Sequence, residues 1–161
     1  MQYRYITTSI ICLLVFLTSN SYALRTGDMA PDILGRSTTG QLFKLSKYSG
    51  KIRLINFFSM YCKPCKKELP ELGLLEKEFP DIMVIAIHLG SQPAAKVERF
   101  LSRLSGHPEK IVCSSLAVKE SYGFRGFPHS VVIDNNNLVY KIIPGYNTYF
   151  IKSALKELSR K

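Results

Sequence analysis

The sequence contains no tryptophan and has only three histidines and four cysteines. A structural zinc site of the common type needs a second Cys or His pair at a regular spacing, and no such pair follows Cys62 and Cys65. Internal repeats and low-complexity tracts are absent too. A chain of 161 residues with 46% hydrophobic and 21% charged residues is typical of one globular domain with a sizeable core.

Acidic residues are scarce: 12 Asp and Glu stand against 22 Lys and Arg, for a formal net charge of +10. The basic residues are spread along the whole chain and are not gathered with interleaved aromatics, as a nucleic-acid surface would require. We therefore expect no nucleic-acid partner. The charge predicts a solvated basic surface that favours acidic partners or anionic membrane surfaces.

The N-terminal segment has the pattern of a secretory signal peptide. Arg4 supplies a basic start, Ile10–Leu17 is an apolar run, and a Ser-Tyr-Ala sequence ends at Ala23. The run is far shorter than the roughly 20 apolar residues that span a bilayer. We predict a signal peptide over residues 1–23 and one exported domain over residues 24–161. An uncleaved N-terminal membrane anchor is the alternative.

Export would place Cys62, Cys65 and Cys113 in a compartment where disulfides form and persist. Cys12 lies inside the apolar run and follows Ile11, whereas lipoprotein processing needs a small residue there, so we interpret Cys12 as part of the discarded segment. Three cysteines can form only one disulfide among themselves, so one thiol stays unpaired. We interpret Cys113 as a small buried apolar residue, with a resolving or mixed-disulfide role as the alternative.

Apolar periodicity predicts strands and helices that alternate along the chain. The predicted strands are Gln41–Leu45, Ile52–Phe58, Asp81–His88, Lys110–Cys113, Ser130–Ile133 and Leu138–Ile143, after a loop over Leu24–Gly40. The first predicted helix begins at the cysteines and runs to Phe79, with a kink or restart at Pro70. Two further helices are predicted over Pro93–Leu104 and Leu116–Tyr122. The last predicted helix is capped by Asn147, and its apolar face consists of Phe150, Ile151, Ala154, Leu155 and Leu158. This order predicts an α/β fold with a central mixed sheet and helices on both faces.

The cysteine pair follows a buried strand and opens a helix, where open α/β sheets place their chemistry. A thiol is nucleophilic only as the thiolate, and positive potential favours that form. Cys62 receives it from the helix N-terminus and from three lysines: Lys63, Lys66 and Lys67. Cys65 lies one turn deeper and should hold its proton longer, so we predict that Cys62 attacks and Cys65 resolves. Pro64 keeps the two sulfurs close. A disulfide that closes so short a loop stabilises a folded domain little, which favours a redox role over a permanent structural one.

With these residues in place, the chain resembles thioredoxin-fold proteins, in particular the exported TlpA/ResA-type thiol-disulfide oxidoreductases of bacteria. The resemblance runs from about Gly27 to the C-terminus, and its motifs are Ala30–Asp32, Leu54–Phe58, Cys62–Pro70 and Tyr122–Pro128. It implies an enzyme that reduces disulfides of exported proteins such as apocytochrome c. A membrane thiol-disulfide protein would supply the electrons. The redox-active disulfide would serve without any further cofactor or metal.

The resemblance also implies roles for residues around the pair. Glu68 would move protons to or from Cys65, since Asn56 stands where thioredoxins proper have a buried acid. The other reading of Glu68 is a solvated acid near a helix start. The Phe127–Pro128 bond would be cis and would offer its loop to an incoming peptide. The expected substrate-docking residues are Tyr61, Lys63, Pro64, Phe127, Pro128 and His129.

Three departures from the family pattern bear on substrate choice. Tyr61 stands where Trp is usual, Phe127 replaces a smaller residue, and His129 stands where Thr is common.

Two other functions stay open at this point. One is a disulfide oxidant or isomerase with the same cysteines, and the other is a copper chaperone that uses Cys62, Cys65 and His129. We assign no functional role to His88 or His107. His88 is interpreted as a strand residue and His107 as a loop residue.

Overall fold

The computed structural model describes residues 23–160, so the predicted signal peptide lies outside the described residues apart from Ala23. The strands are β1 (Leu34–Ser37), β2 (Leu42–Lys44), β3 (Arg53–Phe58), β4 (Met83–Leu89), β5 (Lys110–Ser114), β6 (His129–Ile133) and β7 (Val139–Pro144). The helices are α1 (Cys65–Glu78), α2 (Ala94–Leu101), α3 (Ala117–Ser121) and α4 (Thr148–Leu158), with a 3-10 turn at Leu45–Tyr48.

The seven strands form one mixed sheet in the order β2-β1-β5-β4-β3-β6-β7. β4 lies parallel to both β3 and β5, and every other neighbouring pair is antiparallel. All six residues of β3 are buried, because the strand is central and covered on both faces. The predicted mixed sheet is confirmed.

Helices cover both faces of the sheet, as predicted. Successive residues of a strand point to opposite faces. Leu54 belongs to a cluster formed with α1 and α4, whereas Ile55 belongs to a cluster that includes Val118 of α3. Phe58, on the same face as Leu54, packs with Val97 of α2. Three helices therefore lie on the face that carries α1, and α3 lies on the other.

Strand β1 lies inside the segment that we expected to be a loop. Its four residues are exposed or half-buried, so the strand lacks the apolar alternation that reveals most strands. Arg36 pairs with Cys113 of β5. A Cβ atom on Gly35 would lie 2.6 Å from the Cys113 carbonyl oxygen, so the missing side chain is what allows this close pairing.

Two helix predictions need correction. α1 continues as one helix through Pro70, so the proline does not restart it. Phe150 is 53% exposed, whereas Ile151 and the other three predicted members of the α4 apolar face are buried. Successive helical residues are 100° apart, and this places Phe150 at the margin of that face. The Asn147 cap is confirmed, because its side chain accepts a hydrogen bond from the Phe150 N–H at 3.2 Å. Within residues 23–160, no helix has the length and apolar composition needed to cross a bilayer.

Gly73 gives a stability prediction for α1. A Cβ atom there would lie 2.8 Å from the backbone oxygen of His107. Alanine is the better helix former by about 1 kcal/mol, but the backbone clash costs more. We expect Gly73→Ala to destabilise the protein by about 1–3 kcal/mol in urea unfolding. The control is Leu74→Ala at the exposed next position. A Gly73→Ala protein as stable as the wild type would contradict the packing described here.

Candidate active site

A disulfide joins Cys62, which precedes α1, to Cys65, the first residue of that helix. Cys65 is fully buried and Cys62 is half-buried, so the predicted difference in depth is present. The Cys65 backbone N–H donates a hydrogen bond to the Cys62 sulfur at 3.1 Å. This N–H belongs to the set of donors that a helix start leaves free. It would stabilise negative charge on Cys62 when the disulfide opens.

The rim of the pair is exposed and basic. Tyr61 is 71% exposed, and its hydroxyl accepts a hydrogen bond from Lys96 Nζ at 3.5 Å. The other rim residues that the sequence singled out are also exposed: Lys63, Pro64, Lys66 and Lys67. A substrate that approaches Cys62 therefore meets an aromatic ring and several ammonium groups.

The loop before β6 lies against the same core as the cysteines. The Phe127–Pro128 bond is cis, as the resemblance implied, and Pro128 is buried. Phe127 and Cys62 both pack against the cluster that contains Cys65. Lys119 Nζ lies 5.5 Å from the centroid of the Phe127 ring. The fold thus brings Phe127, from a distant part of the chain, to the cluster that contains Cys65.

His129 does not lie at the rim, and this corrects its expected docking role. The ring is buried and stacks on Phe124, with centroids 4.4 Å apart. Burial lowers the pKa of His129 to about 4. His129 pairs with Phe57, so its side chain lies on the sheet face opposite the cluster of Cys65.

This placement also argues against the copper alternative. The copper chaperone would need Cys62, Cys65 and His129 around one ion, and the histidine lies on the wrong face. Among the described residues, no cluster of three or more His, Cys, Asp or Glu side chains is placed to hold a metal.

Glu68 is a buried acid, so the reading of a solvated helix-start residue is wrong. Asn56 Nδ2 donates to its Oε2 at 2.8 Å, and the Asn147 N–H donates to its Oε1 at 3.4 Å. Burial raises the pKa of Glu68 from 4.5 to about 7. The two hydrogen bonds oppose this rise in pKa, and the neighbouring charge of Glu71 adds to it. A carboxyl with this pKa exchanges protons near neutral pH.

Asn56 connects Glu68 to β6. Its Nδ2 also donates to Ser130 Oγ at 2.8 Å, so one amide group joins β3, α1 and β6. Sequence reasoning assigned no role to Ser130; its one signal was a polar residue inside a buried apolar strand. Contacts of the loop between β7 and α4 were also missed, since nothing local in the sequence indicates them.

Cys113 and His88 lie side by side on β5 and β4. Cys113 is half-buried and lines a surface groove with Leu34 and Leu116, which corrects the expectation of a buried residue. Burial, with a contribution from Glu98, raises the pKa of the Cys113 thiol. Burial lowers the pKa of His88, whose ring nitrogens find no hydrogen-bond partner among the described residues.

A cysteine pair at a helix start, faced by a cis-proline loop on a mixed sheet of this order, defines a thioredoxin-fold thiol-disulfide oxidoreductase. The chain belongs to the AhpC/TSA family, whose sequence pattern matches residues 26–142. It is 30% identical over 128 residues to the thiol-disulfide oxidoreductase ResA of Geobacillus thermodenitrificans, covering 78% of this chain and 73% of that protein. ResA of Bacillus subtilis is 25% identical over 146 residues, with 86% and 81% covered.

Solved structures agree with this assignment. The pneumococcal exposed lipoprotein thioredoxin Etrx1 of Streptococcus pneumoniae superposes with a TM-score of 0.66 at 26% identity, over 80% of this chain and all of that chain. A thioredoxin-family thiol:disulfide interchange protein of Chlorobium tepidum shares the fold, with a TM-score of 0.69 at 22% identity over 84% and 99% of the two chains. The chain is a protein thiol-disulfide oxidoreductase that acts on disulfide-containing substrates.

Proposed function

We propose that the enzyme works as an exported reductant in which Cys62 attacks and Cys65 resolves. The Cys62 thiolate attacks one sulfur of a substrate disulfide, which releases the other sulfur as a thiolate and forms a mixed disulfide. Cys65 then displaces the substrate and closes the Cys62–Cys65 bond. The substrate gains two electrons and the enzyme dithiol loses two. The observation that carries this assignment is the Cys65 N–H, which faces the Cys62 sulfur while Cys65 itself is buried.

Glu68 would handle the proton of Cys65. It lies one helical turn after Cys65 on α1, and its pKa of about 7 lets it accept a proton near neutral pH. Removal of the proton from Cys65 turns the buried thiol into the nucleophile of the second step. This role explains why an acid is kept buried where burial is unfavourable for its charge.

Substrate docking would use the loop that ends in Phe127 and Pro128. A segment containing the target disulfide would add as a short extended strand beside this loop, with its sulfur over Cys62. Tyr61, Lys63 and Pro64 would form the opposite, exposed side of the docking surface. The half-buried Phe127 ring makes this surface more apolar than the smaller residue of the family pattern would.

The signal-peptide pattern over residues 1–23 supports export of a mature domain over residues 24–161. The reductive direction is what the resemblance to TlpA/ResA-type proteins implies, and the ResA relatives are named thiol-disulfide oxidoreductases. On this basis the clients would be exported proteins such as apocytochrome c, and a membrane thiol-disulfide protein would return the electrons. Contact with the membrane beyond that donor is expected only if the N-terminal segment stays uncleaved.

The midpoint potential of the Cys62–Cys65 couple tests the reductive direction. We expect a value near that of thioredoxin, about −270 mV, when the protein is equilibrated with glutathione or dithiothreitol buffers. The Cys113→Ser protein is the control, because it removes the remaining thiol of residues 23–160 without touching the couple. A value near that of DsbA, about −120 mV, would contradict the reductant and favour the disulfide oxidant or isomerase.

A further inference from the structure

The segment Gly145–Thr148 joins β7 to α4 and touches both parts of the active site. The Gly145 N–H donates to the Pro128 carbonyl at 3.0 Å. Two residues later, the Asn147 N–H donates to Glu68 Oε1 at 3.4 Å. Two residues of this four-residue segment thus bond to the docking loop and to the buried acid.

Glu71 ties this segment to α1. It lies one turn beyond Glu68, and both oxygens of its carboxylate are used: the Tyr146 hydroxyl donates to Oε1 and the Thr148 hydroxyl to Oε2. Gly145 has a φ of 73°, a conformation that few residues other than glycine adopt, and this sets the turn out of β7. The two donors flank Asn147, so their bonds to Glu71 fix the position of its N–H.

We propose that Glu71 is a positioning residue for thiol-disulfide exchange, holding the segment Gly145–Thr148 so that it contacts Glu68 and Pro128 together. The proposal rests on the proposed function, because it concerns the same acid and the same docking loop. An ionised Glu68 binds the Asn147 N–H more strongly than a protonated one. The segment therefore couples proton exchange at Glu68 to the placement of Pro128.

The test removes the two hydroxyl donors and keeps every charge, in the double variant Tyr146→Phe with Thr148→Val. Both positions are partly exposed, so the fold should persist. We expect the Asn147 N–H to move away from Glu68. The Glu68 carboxyl, followed by carbon-13 NMR in the oxidised protein, should then titrate about half a pH unit higher.

A kinetic readout addresses the docking loop. The reduced variant should reduce a disulfide-bonded peptide several-fold more slowly than the wild type. The release of the first thionitrobenzoate from the small disulfide 5,5′-dithiobis(2-nitrobenzoate) should be unchanged, because it reports the attack of Cys62 and needs neither peptide docking nor the proton of Cys65. The control is Glu78→Ala, which breaks a different contact between α1 and α4, the 2.6 Å ion pair with Lys152. It should alter neither the titration nor the rate ratio.

Two outcomes would overturn the positioning role: an unshifted Glu68 titration in the double variant, or the same shift in Glu78→Ala. The second would mean that any loosening of α4 suffices. A wild-type protein that reduces no peptide disulfide would overturn the proposed function instead. The NMR titration still decides the role of Glu71 in that case, because it involves no substrate.

Discussion

Replacing Cys62 by serine will abolish exchange, lowering the rate of peptide disulfide reduction by roughly three orders of magnitude or more. A hydroxyl at this place is not a nucleophile near neutral pH, and the Cys65 N–H then faces no thiolate. Cys65 is buried and does not reach a substrate sulfur in its place. The measurement is the initial rate with purified, fully reduced protein.

Cys113→Ser is the matched control for this loss. Burial and Glu98 raise the pKa of the Cys113 thiol, so little of it is thiolate at neutral pH. We expect this variant to keep the wild-type rate. If Cys62→Ser retained activity and lost it only when Cys113 was also replaced, the nucleophile would be Cys113.

The stability of the oxidised protein will depend on pH through Glu68. Its pKa rises from 4.5 in the unfolded chain to about 7 in the folded protein, so folding takes up a proton between these values. Below pH 4.5 the carboxyl is neutral in both states and costs nothing. The penalty grows as the pH rises, and above pH 7 the wild type has lost about 3 kcal/mol of unfolding free energy.

Glu68→Gln removes this titration while keeping the shape and an acceptor for Asn56. We expect the difference in unfolding free energy between Glu68→Gln and the wild type to move by about 3 kcal/mol in favour of the variant between pH 4.5 and 8. Urea unfolding of the oxidised proteins measures it. Glu78→Gln, which removes a partly exposed carboxylate on the same helix, serves as the control for the loss of one negative charge. A pH-independent difference for Glu68→Gln would mean that Glu68 ionises normally.

The sequence was a good guide where one local pattern decided the structure. The central strands are continuous apolar runs, and the first turn of α1 is marked by Cys65 at its start. The Asn147 cap was also readable, because a cap depends on its own helix. β1 was missed because its four residues carry no apolar alternation and it becomes a strand only through pairing with the distant β5, which no local pattern shows.

The site needed contacts between distant segments, which local patterns do not contain. Glu68 and Asn147 are 79 residues apart, and their hydrogen bond depends on where the connection from β7 to α4 places Asn147 relative to α1. The face of the sheet that His129 occupies depends on the register of β6, and a shift of one residue would move its ring to the face that carries Cys65. The acid and the cysteines were found from the sequence, whereas the partners that set their chemistry were visible only in the fold.

Trapping with Cys65→Ser is the measurement that tests the central claim most directly. The reduced variant is mixed with a disulfide-bonded peptide, and the covalent product is digested and mapped by mass spectrometry. We predict a stable mixed disulfide between the peptide and Cys62, since no resolving thiol remains to release it. Absence of any adduct, or an adduct on Cys113, would contradict the assignment of Cys62 as the attacking cysteine.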